Sequence, residues 1–155
     1  MRLYLVQHGE ALAKDVDPDR ALSDRGKRDI QQIATFLKQT NIRVGCVLHS
    51  GKTRARQTAE ILATALYSAG TVETLEGINP KDDPAPLLEQ ALSWETDTLV
   101  VGHLPYMSRA VSLFLTGDKA CEAVSYRPGS LVCMERTEDG EWLLDWMIRP
   151  ELFHD

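Results

Sequence analysis

At 155 residues, with 43% hydrophobic and 26% charged residues, the chain has the make-up of one globular domain, residues 1–155, able to bury a core. A formal net charge of -6 excludes general nucleic-acid binding, which needs a cationic face, but leaves room for a small cationic pocket around one phosphoryl group. The N-terminal apolar run is too short for a signal peptide, and no stretch is long enough to span a bilayer.

Leu3 to Val6 is a continuous apolar run, the pattern of a central parallel strand buried on both faces, and it ends in Gln7-His8-Gly9-Glu10. Ala11 to Arg20 is polar and reads as a loop on the carboxyl side of that strand. Ser23 can cap a helix reaching about Gln39, with Ile30, Ile33, Ala34 and Leu37 as its apolar stripe; Gly26 in its first turn permits a close backbone contact. Val44 to Leu48 is a second strand. A helix follows from about Lys52 to Tyr67, with Ala55, Ala59, Leu62 and Leu66 on one face and Ser68-Ala69-Gly70 as its stop.

Thr71 to Leu75 is a short strand, and the proline-rich stretch from Glu76 to Pro86 is loop. Leu87, Leu88, Ala91 and Leu92 mark a short helix. Thr98 to Val101 is a further strand ending in Gly102-His103, and Pro105 fits the first turn of a helix whose stripe is Met107, Ala110, Val111, Phe114 and Leu115. Leu131 to Glu135 and Trp142 to Ile148 flank Glu138-Asp139-Gly140, a hairpin signal; Trp142 and Trp146 are expected on one face of the second of these strands. The alternation predicts an α/β fold with three α/β/α layers, a mostly parallel sheet and an antiparallel C-terminal hairpin. The three cysteines form no Cys-x-x-Cys pair; Cys46 and Cys133 read as core thiols, and the setting as reducing and cytoplasmic.

Ligands of open parallel sheets bind outside the carboxyl ends of the strands. Here those ends deliver His8, then Ser50 with Arg54 on the next helix's first turn, then His103. If these strands are neighbours, two imidazoles and a guanidinium share one crevice. Arg54 can fork two N–H groups onto phosphate oxygens, His8 can attack phosphorus, His103 can bond an equatorial oxygen, and Gly9 leaves room beside the nucleophile. His49 reads as lining a strand end and His154 as exposed. No histidine pair has metal-ligand spacing, and the Asp15/Asp17/Asp19 set lacks the rest of a calcium loop.

These residues also carry a resemblance. Gln7-His8-Gly9, Leu22-Ser23-Asp24-Arg25-Gly26, Ser50 to Thr58 (Ser-Gly-Lys-Thr-Arg-Ala-Arg-Gln-Thr) and Gly102-His103-Leu104-Pro105 follow in the order and spacing of the histidine phosphatase superfamily, which includes the phosphoglycerate mutases. Tyr126 to Ser130 adds to the likeness, and the chain most resembles the small bacterial phosphohistidine phosphatases of the SixA type. The resemblance implies a phosphoglycerate mutase-like fold and a phosphatase with His8 as the phosphorylated nucleophile. It implies Gln7, Gly9, Arg54 and His103 around the phosphate, no metal and no organic cofactor. The implied substrate is phosphohistidine on a phosphorelay domain, with a small phosphomonoester as the alternative. Two departures stand out. Gln7 replaces the family's arginine, so Lys14 or Arg127 is a candidate replacement cation, and a weak enzyme or a non-catalytic phosphoprotein-binding module is the rival reading. The second is the general acid, which no motif residue matches: Glu76 lies in the right part of the chain for it, and SixA-like proteins often lack the mutase-type acid. Within the Ser50 to Thr58 motif, Gly51 stands where proline is usual.

Overall fold

The computed structural model describes residues 1–67 and 71–154. Its elements are β1 (Arg2–Gln7), α1 (Asp24–Lys38), β2 (Cys46–His49), α2 (Thr53–Leu66), β3 (Glu73–Thr74), α3 (Ala85–Ala91), β4 (Thr98–Gly102), α4 (Tyr106–Thr116), β5 (Leu131–Arg136), β6 (Trp142–Ile148) and a closing 3₁₀ turn, Pro150–Phe153. The expected alternation and terminal hairpin are both present. The Ser68-Ala69-Gly70 stop expected after α2 lies outside the described residues.

The strands form one sheet in the order β3-β2-β4-β1-β5-β6. β1, β4, β2 and β3 pair parallel, while β5 runs antiparallel to both β1 and β6. β2, β4 and β1 are therefore consecutive neighbours, and their carboxyl ends lie side by side.

β1 is apolar throughout because both of its faces are covered. Tyr4 and Val6 pack with Leu99 and Val101 beneath Ile30, Ile33 and Leu37 of α1 and Ala59 and Leu62 of α2. Leu3 and Leu5 pack with Val100 against Leu87 of α3 and Met107, Val111 and Phe114 of α4. Each fully buried aliphatic side chain of this kind contributes about 1.5–3 kcal/mol. The result is a three-layer α/β/α sandwich with β1 and β4 at its centre.

The start of α1 fixes the path of the chain beyond His8. Ser23 Oγ accepts from the Gly26 N–H at 3.0 Å and donates to Glu10 Oε2 at 2.8 Å, and the Ser23 N–H donates to the Glu10 carbonyl at 2.9 Å. Gly26 makes the close contact expected of it: a Cβ there would lie 2.1 Å from the Glu10 carbonyl oxygen. Gly26→Ala gains about 1 kcal/mol of helix propensity but forces two backbones apart. The expected net outcome is a loss of about 2 kcal/mol, read as a fall of several degrees in Tm by calorimetry.

Three local expectations change. Trp142 and Trp146 face opposite sides of the sheet. Cys133 pairs with Trp146 while Met134 pairs with Leu144, so Asp145 is an extra, bulged residue, and one extra residue flips the alternation. Trp146 accordingly meets Tyr4 at 6.0 Å on the α1/α2 side, and Trp142 meets Phe114 at 5.1 Å on the α4 side. Cys46 begins β2 and is only half-buried, in contrast to the buried Cys133. Pro105 sits just before α4 rather than within its first turn.

Candidate active site

β1, β2 and β4 deliver His8, Ser50 and His103 to one edge of the sheet, and the first turn of α2 adds Arg54. The His8 N–H donates to the Gly102 carbonyl at 3.0 Å, which ties the end of β1 to that of β4. The His8 and His103 rings lie 5.0 Å apart. Arg54 Nε donates to His8 Nε2 at 3.3 Å. His8, Arg54 and His103 thus meet in one pocket, as their positions at strand ends imply.

Local contacts fix the tautomer of His8. Nδ1 lies 2.7 Å from the Gly9 carbonyl, an acceptor, so Nδ1 carries the proton. Nε2 keeps its lone pair, toward which the Arg54 Nε–H points. Gly9 is held by its own N–H on Thr58 Oγ1 at 3.0 Å, and a Cβ there would meet Ile30 Cγ1 at 3.0 Å and the Gly26 carbonyl at 3.2 Å. The glycine after His8 therefore serves close packing on α1.

Both imidazoles are neutral at pH 7. His8 is pushed from the ordinary 6.5 down to about 4, first by burial and then by the Arg54 and Arg20 charges, against the opposing bond to Gly9. His103, 1% exposed, is pushed down to about 3 by burial and by the charges of His8, Arg54, Lys52 and Arg20. Burial, with Arg20, also lowers the Arg54 guanidinium.

Arg20 and Lys52 are the functional candidates that sequence reasoning missed. The cations whose charge reaches the histidines are these two together with Arg54, whereas Lys14 and Arg127 are exposed and do not act on them. The loop from residue 11 to residue 22 folds back on itself through Leu12 N–H on the Ala21 carbonyl at 2.8 Å and a bridge between Ala11 and Leu22. Arg20 adopts φ of 50° within it, and its Nε donates to the Leu12 carbonyl at 3.1 Å. This closure brings a residue twelve positions downstream close enough for its charge to reach His8. Apolar periodicity carries no signal for it.

Gln7 is 7% exposed, and its Oε1 is buried without a donor. Glu76 is exposed and makes no bond to His8, Arg54 or His103. His49 is buried and accepts from the Gly51 N–H at 3.0 Å. His154 is bound at the surface to Asp29, 2.9 Å away. Among the described residues no group of three or more His, Cys, Asp or Glu is placed to hold a metal ion, and no helix is long and apolar enough to cross a membrane.

The pocket thus gathers Arg20, Lys52 and Arg54 around two neutral imidazoles, and no carboxylate figures among the charges acting on them. In a chain of net charge -6 this is a local concentration of positive charge. It also has a stability consequence. The unfolded chain takes up the two histidine protons near pH 6.5, and the folded chain only near 4 and 3. The unfolded state therefore binds more protons across that window, and stability falls as the pH drops from about 6.5 through about 4. Thermal melts over this range are expected to show the loss, and His103→Gln to show a smaller one.

The family model of the histidine phosphatase superfamily (branch 1) matches residues 3–79. The chain is 28% identical over 165 residues to an uncharacterized protein of Picosynechococcus sp., covering 96% of this chain and 99% of that protein. It is 26% identical over 155 residues to the phosphohistidine phosphatase SixA of Escherichia coli, covering 97% and 94%. Among solved structures, the protein histidine phosphatase SixA complexed with tungstate aligns with a TM-score of 0.88 at 21% identity, covering 99% of this chain and 100% of that one. A phosphoserine phosphatase of Entamoeba histolytica in complex with 3-phosphoglyceric acid aligns with a TM-score of 0.71 at 15% identity, covering 94% and 95%. In its motifs, its fold and these relatives, the chain is similar to the histidine phosphatase superfamily.

Proposed function

We propose that the protein is a phosphohistidine phosphatase that works through a phosphohistidine intermediate on His8. The observation that carries this reading is the seating of His8: Nδ1 lies 2.7 Å from the Gly9 carbonyl, which leaves an unprotonated Nε2 that accepts from Arg54. Nε2 attacks phosphorus, the bond from phosphorus to the substrate's nitrogen breaks, and the leaving imidazole departs with that electron pair. Water then attacks the phosphoryl group on His8, releasing inorganic phosphate and restoring the imidazole. Arg54, Arg20 and the N–H groups opening α2 stabilise the oxygens in transit, and His103 donates to one of them.

Two features favour phosphohistidine over an ester. Glu76 is exposed and makes no bond to His8, Arg54 or His103, so it is not seated to protonate an alkoxide. A phosphoimidazole needs no such acid when its leaving nitrogen is already protonated. The chain also passes from β1 to α1 through a short folded-back loop and builds no helical lid over the site, which suits a substrate carried on a protein. The relative named as a phosphohistidine phosphatase, and the related fold seen with tungstate, an oxyanion shaped like phosphate, lend support. The test compares kcat/KM for a phosphohistidine peptide, an aryl phosphate and phosphoserine. Activity on phosphoserine above that on phosphohistidine would overturn the assignment.

Gln7 favours a second reading, a phosphoprotein-binding module, because a neutral amide replaces a charged fork. Arg20 answers it by restoring a positive charge from the loop. Gln7→Arg is expected to raise kcat about tenfold and Arg20→Ala to lower it by a similar or larger factor, measured on the aryl phosphate. A fall on Gln7→Arg would mean that the glutamine has a positive role.

A further inference from the structure

Ser50 follows β2 directly, and its Oγ lies 2.6 Å from His103 Nε2. Gly51 follows it with a φ of 92°, open to glycine and closed to the proline usual in this motif. The Gly51 N–H is anchored on His49 Nδ1 at 3.0 Å, and the Lys52 N–H approaches Ser50 Oγ at 3.4 Å.

The other nitrogen of that ring decides how the hydrogen bond runs. His103 is buried, and its Nδ1 has no partner. A proton on Nδ1 would be a buried donor with no acceptor, an arrangement that folded proteins avoid. With the proton on Nε2, the ring donates to Ser50 Oγ, and only a lone pair is left unpaired.

We propose that Ser50 is a positioning residue: its hydroxyl accepts the Nε2–H of His103 and holds that ring in the Nε2–H tautomer, with the proton on the pocket side. The pocket then holds its two imidazoles in opposite tautomers. His8 offers a bare Nε2 to phosphorus, and His103 offers an Nε2–H that can transfer its hydrogen bond from Ser50 to a phosphoryl oxygen. This assignment rests on the phosphatase reading for its role in turnover, though not for the tautomer itself.

The experiment uses ¹⁵N-histidine-labelled protein at neutral pH, with the His103 ring resonances assigned by their loss in His103→Gln. Wild type is expected to show His103 as the Nε2–H tautomer. In Ser50→Ala its ring nitrogens move toward tautomeric averaging, and kcat on an aryl phosphate falls about tenfold with KM little changed. Ser50→Thr, which keeps the hydroxyl, restores both. An unchanged His103 spectrum in Ser50→Ala overturns the proposal, and so does a shifted spectrum with unchanged kcat. If wild type hydrolyses neither ester nor phosphohistidine, the phosphatase reading has failed by itself. The spectrum, with the affinity of Ser50→Ala for inorganic phosphate in place of kcat, then decides the role of Ser50.

Discussion

His8→Ala is expected to lower kcat/KM on a phosphohistidine peptide by at least about 10⁴-fold while leaving the fold intact. The size follows from the two-step reaction: with Nε2 gone there is no covalent acceptor, and water must attack directly in a pocket built to hold an anion. In acid the variant should lose less stability than wild type, because removing the ring also removes a buried imidazole that resists protonation down to about pH 4. The Gly9 backbone keeps its bond to Thr58 Oγ1, so the turn survives the substitution. Matched rates in wild type and His8→Ala would remove His8 from the mechanism. Phosphate binding is expected to persist in this variant, because Arg54, Arg20 and His103 remain.

Arg54→Ala is expected to cost about 10²–10³ in kcat, the usual penalty for losing one preorganised charged donor at a transition state. Arg54→Lys should recover only part of this, since an ammonium keeps the charge and loses the fork. The substitution also frees His8 Nε2 from its 3.3 Å contact and removes a charge that holds both histidines down. The pKa values of His8 and His103 should therefore rise, and the acid limb of the pH–rate profile should move to higher pH. That movement separates an electrostatic role from simple misfolding, which would lower activity at every pH alike. Arg54→Ala with unchanged kcat and a tenfold weaker phosphate affinity would instead favour the binding-module reading.

The residues legible in the sequence are those whose role is set locally. The Leu3–Val6 run marks a strand buried on both faces, and polar residues directly after such strands mark the site, so His8, Arg54 and His103 could be named before any geometry was known. Gly26 was legible for a similar reason: a glycine in the first turn of a capped helix needs a cause, and the Glu10 carbonyl is that cause. Arg20 was not legible, because the reach of its charge to His8 depends on a loop closing through backbone bonds that any residues can make. The opposed faces of Trp142 and Trp146 depend on a bulge at Asp145 that strict alternation cannot anticipate. Ser50 was visible as a strand-end residue, but its bond to His103 joins two strands 53 positions apart in the chain.

The covalent intermediate is the centre of this account, and trapping it tests the account most directly. Wild-type protein would be mixed with a labelled phosphoramidate, quenched within one turnover under alkaline conditions that preserve phosphohistidine, digested and mapped by mass spectrometry. A single labelled peptide carrying the phosphoryl group on His8 is expected, absent from His8→Ala. Measurable turnover with the label on another residue, or with no labelled peptide at all, would contradict it.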